Sequence, residues 1–225
     1  MNRFLPVHCL ADLEGLIRYT GFLPLFSCSI PGFSVEENCD PNVWFKDDVE
    51  GPWDWRGMIA EKGEIFYGKF AENKAVFVHR NWFPALCNYR RNGYDFDTRY
   101  ELGMSTRREH AIIALLTDEE SILSPDLKRR AGYGKGGFKG FDQVMTDLQM
   151  QTYVCIRSFD QRLSKQGVPY GWNVTRYIQP ERQISESEMD AAYSEAPDRA
   201  FARMCDHLQS ILPDVSRSAI EHWLK

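Results

Sequence analysis

Between residues 107 and 179 the apolar positions change rhythm four times. Three segments repeat at helical spacing, REHAIIALL, SPDLKRRAG and GFKGFDQVMTDLQMQ, and two alternate as strands, TYVCIRSF and GWNVTRYIQ, around the turn QRLSKQGVPY. In the third helical segment Phe138, Phe141, Val144, Met145 and Leu148 recur three and four residues apart, which puts them on one face and points Lys139, Gln143 and Thr146 away from it. Ser124-Pro125 supplies a cap and a first-turn proline for the second helix. Gly132, Gly134, Gly136 and Gly137 break the chain before the third, where two crossing helices need a sharp corner. With no strand before it and no Lys-Ser/Thr pair closing it, the glycine run reads as a turn and not as a phosphate loop.

Three helices followed by a hairpin is the order of a winged helix. A partial echo lies upstream. Leu10, Leu13, Leu16 and Ile17 form the stripe of a first helix, and Pro24 and Pro31 then hold GFLPLFSCSIPGF extended. Ser34 and Glu37 make a capping box for a short helix. Pro52 opens a helix with Trp55, Met58 and Ile59 inward and Gly63 at its end, and EIFYGKF and KAVFVHR alternate around a two-residue turn at Glu72-Asn73. Another helix ends at Gly93, a polar aromatic loop follows, and residues 187–212 read as one long helix with an interruption at Pro197. The fold class expected is α+β, mainly helical, built from tandem winged-helix modules. These are residues 1–104, containing a helix and hairpin over 52–80, and residues 105–182, followed by a helical extension over 183–225.

Charge sharpens this division. The net charge is −5, but residues 121–182 hold ten Lys/Arg against five Asp/Glu, so the second module is a basic island in an acidic chain. Double-stranded DNA is the partner this suggests, with Lys128, Arg129, Arg130, Lys135 and Lys139 supplying general affinity, Gln143 and Thr146 reading bases, and Arg162 and Lys165 on the wing. The acidic tail with Tyr193, Phe201, Met204, Leu208 and Ile211 inward offers a brace or a homodimer contact. Six dispersed cysteines without a C-x-x-C pair read as reduced core residues, and no metal site or cofactor is implied. Short apolar runs and the absence of a signal-peptide pattern point to the cytoplasm and away from a membrane.

Aromatic residues crowd the upstream block. Trp53, Trp55, Phe66, Tyr67, Phe70, Phe77, Trp82 and Phe83 either fill a core or line a pocket for a flat ligand, with Trp53, Trp55, Tyr67, Trp82 and Tyr94 as the pocket set. Asp95 and Asp97, beside Tyr94 and Phe96, are the carboxylates placed for acid or base chemistry. With Arg90, Arg91 and Arg99 they also suit a salt-bridge network tying the modules together.

The stretch Trp53-Asp54-Trp55-Arg56, Gly63-Glu64-Ile65, Gly68-Lys69 and Lys74 to Phe77 resembles the winged-helix DNA glycosylases, the AlkZ-like or YcaQ-like family. The segments GFLPLF, IPGFSVEEN, YGKF, KAVFV, WFPALCNYRRNGYDFD, YGKGGFKGFD and LQMQTY resemble its compact AlkZ-related members and span most of residues 15–178. The resemblance implies DNA binding and, for full-length members, hydrolysis of the bond between a damaged base and its sugar by a Gln-x-Gln or Gln-x-Asp motif. Its counterpart here is Gly21-Phe22-Leu23-Pro24-Leu25-Phe26, where Pro24 and Phe26 replace the amide and carboxylate and neither polarises water. Gln149-Met150-Gln151 matches the letters but ends the third helix. The readings are therefore a DNA-binding protein without that motif, a glycosylase acting through Asp95 or Asp97, or a module for protein contacts.

Overall fold

The computed structural model describes residues 3–46, 48–164 and 166–225. Helix α1 (Leu10–Thr20) is followed by strand β1 (Phe22–Pro24), α2 (Val35–Asn38), α3 (Pro52–Glu61), β2 (Ile65–Ala71) and β3 (Lys74–His79). Then come α4 (Phe83–Arg91), α5 (Phe96–Glu101), α6 (Arg107–Asp118), β4 (Ile122–Leu123), α7 (Ser124–Arg130) and α8 (Phe141–Met150). The hairpin β5 (Cys155–Leu163) and β6 (Pro169–Ile178), a 3-10 turn (Pro180–Arg182), α9 (Glu186–Tyr193), α10 (Pro197–Ile211) and α11 (Arg217–Leu224) complete it. The class is α+β, and no helix among the described residues is long and apolar enough to cross a membrane.

Helix, strand, helix, helix, hairpin occurs twice, as α1-β1-α2-α3-β2-β3 and as α6-β4-α7-α8-β5-β6. In each copy the short strand pairs antiparallel with the last: Phe22 to Pro24 on β1 oppose Val78 to Val76, and Ile122-Leu123 on β4 oppose Tyr177-Arg176. The two hairpins meet edge to edge where Tyr67 on β2 pairs with Ile156 on β5, so one antiparallel sheet runs β1-β3-β2-β5-β6-β4. Glu72 and Asn73 both take positive φ, 51° and 56°, the conformation a tight two-residue hairpin demands.

The two cores lie on either side of this seam. The first gathers Leu13, Ile17, Phe22, Phe33, Phe66, Phe70 and Phe77 with residues from the far end of the chain, Met204, Leu208, Trp223 and Leu224. The second gathers Phe96, Ile112, Leu116, Leu127, Phe141, Val144, Leu148 and Tyr153. Helix α10 lies along α4, and α11 docks on α10, so the C-terminal helices brace the first half and bury their apolar stripe within the chain.

Several details differ from the pattern-based expectation. The helix read over 187–212 is two, because Pro197 starts α10 at its first position after a break at Ser194 to Ala196. Helix α8 starts only at Phe141, after Gly140 in a left-handed conformation, so Phe138 lies in the preceding turn and packs edge-on against Tyr133. Met58 is exposed, and α5 replaces part of the polar loop, with Phe96 packed on Tyr153. Thr146 is buried instead of outward: its hydroxyl accepts from Lys69 Nζ at 2.9 Å, because β2 of the first half lies across that face of α8.

The seam carries most of the polar ties. Gln149 Oε1 on α8 accepts from Lys69 N at 3.1 Å, an approach Gly68 permits, since a Cβ there would come within 3.2 Å of that oxygen and 2.8 Å of the Phe70 ring. In the mirrored position α3 lies on β5, and Arg157 donates to the carbonyls of Ala60 and Glu61 at the end of α3. Arg90 and Arg91 do join the halves, but through carbonyls and not through Asp95 or Asp97. Arg90 donates to Met150 O, Phe70 O and Leu224 O within 2.9 Å, and Arg91 donates to Thr152 O at 2.6 Å and pairs with Glu181.

Truncating Trp223, which packs edge-on against Phe33 at 5.3 Å, should empty the floor of the first core. Trp223→Ala is expected to cost about 3–5 kcal/mol and to lower Tm by roughly 10 °C in a thermal scan. Arg80 holds Glu188 through paired bonds of 2.7 and 2.6 Å, and this hydrogen bonding keeps the carboxyl at about 2 in place of the usual 4.5. The stability this lends is present above pH 4.5 and fades as pH falls toward 2. Glu188→Gln should therefore flatten that part of the acid-unfolding curve.

Candidate functional site

Gly51 caps α3 and Pro52 takes its first position, with Gly51 N donating back to Asp54 Oδ2 at 3.2 Å. Val43, earlier in the chain, comes back so closely that a Cβ on Gly51 would stand 2.0 Å from Val43 O; residues 43–46 and 48–50 form this segment. Between this segment, the outer face of α3 and the β5–β6 hairpin opens a cleft of about 1110 Å³, into which Phe45, Trp53, Arg56, Phe159 and Trp172 face. One wall thus comes from each half.

Arg56 is the unusual group here. Its guanidinium carbon lies 3.4 Å from the centre of the Trp53 ring and 4.1 Å from that of Phe159, and the residue is only 5% exposed. Burial pushes its pKa down, opposed by Tyr67 and Asp54. Nη1 is buried with no partner, and among the described residues no carboxylate pairs with the side chain. Around it the rings form a chain: Phe26 meets Trp44 at 6.0 Å and Trp53 at 6.4 Å, and Phe45 meets Trp53 at 5.2 Å. Phe45 and Trp53 are exposed, and Trp172 across the cleft is 93% exposed. Asp48, Glu50, Asp54 and Glu61 outnumber Lys46 at the margin.

Of the five rings taken as a pocket, Trp53 lines this cleft. Tyr67 is buried in the sheet, 6.1 Å from Phe159, and Trp55 is buried in the first core. Trp82 stacks on His207 at 4.3 Å, and Tyr94 is half-buried, with its carbonyl accepting from Tyr153. Asp95 caps α5, accepting from Thr98 N at 2.7 Å, and Asp97 is exposed in the first turn of that helix. Neither carboxylate lines the cleft. Sequence reasoning passed over Arg56, Phe159 and Trp172. The signal for Arg56 was present, since Trp53 and Arg56 are three apart on a helix and share a face.

The basic residues of the second half sit elsewhere. Lys128, Arg129 and Arg130 are exposed in the last turn of α7. Arg129 pairs with Asp126 at 3.1 Å and Arg130 with Glu119 at 2.5 Å. Lys135 and Lys139 are exposed on the turn between α7 and α8, and Arg162 is exposed on β5. Lys165 lies outside the described residues. On α8, Gln143 is exposed and donates to Asp147 Oδ1 at 2.8 Å. Among the described residues no group of three His, Cys, Asp or Glu is placed to hold a metal ion.

Gly51→Ala should force Val43 off the start of α3 and open the cleft. A loss of about 1–3 kcal/mol in a urea titration, with a changed tryptophan emission spectrum, is the expected result.

Searches of curated proteins and of solved structures returned no match. A family model described as "AlkZ related" matches residues 7–225. With nearly its whole length covered, the chain belongs to the AlkZ-related family.

Proposed function

We propose that this protein binds duplex DNA as a tandem winged-helix relative of the alkylation-damage glycosylases, and that it works without their Gln-x-Asp/Gln motif. The observation that carries the reading is the doubled order of helix, strand, helix, helix and hairpin, with the same strand pairing in both copies. The modules in this reading are residues 1–104 and 105–182, with Phe96 of α5 reaching across to pack in the second core. In the second module the uncovered turn with Lys135 and Lys139 adjoins the basic end of α7, and the acidic C-terminal helices pack on α4 instead of here.

Gln143 is the base reader this arrangement favours on α8. Thr146 is withdrawn from that role by Lys69. Where the glycosylase motif would stand, Pro24 ends β1 and Phe26 packs toward Trp44 and Trp53, so no amide or carboxylate meets a water at those positions. Asp95 is occupied as a helix cap, which leaves Asp97 to carry any acid-base chemistry in the alternative reading.

In a mobility-shift titration, Lys135→Glu with Lys139→Glu should weaken retention of an undamaged duplex and reduce the salt slope by about 2. Unchanged affinity would refute the proposal. Release of base from methylated duplex, abolished by Asp97→Asn, would return the chain to the active glycosylases.

A further inference from the structure

The cleft beside α3 calls for a ligand in its own right, on a surface separate from the basic turn. The other arginines that reach the interior end on oxygen: half-buried Arg90 on three carbonyls, with only Nε left over, and buried Arg91 on Thr152 and Glu181. Arg56 is as buried as Arg91, yet among the described residues nothing accepts from it. A desolvated guanidinium held flat against aromatic rings, with a donor unused, is complementary to an oxyanion.

The remaining walls describe the rest of the ligand. Trp53 and Trp172 line the cleft, and exposed Phe45 and Met58 extend the apolar surface beside them. A cluster of exposed apolar side chains facing a cleft is a place for a flat, partly apolar molecule. The acidic margin, with Asp48, Glu50, Asp54 and Glu61, disfavours a strongly charged one.

We propose that this cleft binds a nucleotide through a singly charged phosphodiester on Arg56 and a heteroaromatic ring stacked on Trp53 and Trp172. Such a group is carried by an unpaired strand or by a small free nucleotide. The proposal does not rest on duplex binding, since Arg56, Trp53 and Trp172 are not among the residues assigned to the duplex.

Tryptophan fluorescence titration of the full chain with the dinucleotide thymidylyl-thymidine, with an oligothymidylate ten residues long, with thymidine and with inorganic phosphate tests it. The dinucleotide should quench saturably, while thymidine and phosphate bind at least about ten-fold more weakly. Trp172→Ala, on an exposed residue that folding does not need, should weaken dinucleotide binding by roughly ten-fold as its stacking is lost. Arg56→Met should remove a further ten-fold or more, with circular dichroism reporting whether it is folded. Tighter binding of the oligonucleotide identifies a strand as the source, and equal binding identifies a free nucleotide. No saturable quenching by the dinucleotide, or an unchanged affinity in Trp172→Ala, overturns the proposal. The Lys135→Glu, Lys139→Glu protein should keep dinucleotide binding while losing duplex, so each reading fails on its own measurement.

Discussion

An open strand edge exposes a row of unpaired backbone donors and acceptors, and each of the two long hairpins here would leave one, on β2 and on β5. The chain closes them against each other. The direct pairing is short, Tyr67 with Ile156, so the join depends on what lies across it: α3 over β5 and α8 over β2. Arg157 then satisfies the carbonyl end of α3, and Lys69 with Gln149 does the same work between β2 and α8. Each half thereby gives up one face of its third helix to the other. That sacrifice withdraws Thr146 from solvent and leaves the turn before α8, together with the cleft beside α3, as the surfaces with free chemistry.

Local pattern made much of this legible. The Glu72-Asn73 turn, the capping box at Ser34, the glycine break before α8 and the bracing C-terminal helices all follow from rules that act within a few residues. What periodicity does not carry is the partner on the far side. The spacing of Thr146 marks it as outward on an isolated helix, and only the arrival of β2, about eighty residues earlier in the chain, turns that side inward. The cleft around Arg56 was hidden for the same reason. Its helix mate Trp53 is local, but Phe159 and Trp172 come from the other half.

Three arginines reaching into the interior illustrate how one residue type is put to different ends. Arg90, at the close of α4, ends on the carbonyls of β2, α8 and α11, and burial pushes its pKa down to about 10 without depriving it of acceptors. Arg91 spans to Thr152 and Glu181 and knots the connection between the cores. Both are structural, because their guanidinium Nη groups end on protein oxygens. Arg56 has aromatic neighbours in place of oxygen, and on the proposed reading that difference is what leaves it open to a ligand.

The placement of Trp223 and Leu224 has a bearing on synthesis. They seal a hydrophobic floor whose other members, Leu13, Ile17 and Phe33, leave the ribosome some two hundred residues sooner. The opening half of the polypeptide must therefore wait, partly unsealed, until Trp223 and Leu224 have been made, whereas the segment from Phe96 to Val154 supplies the buried members of the second core by itself and is free to consolidate first. The order of maturation runs from the centre of the chain outward.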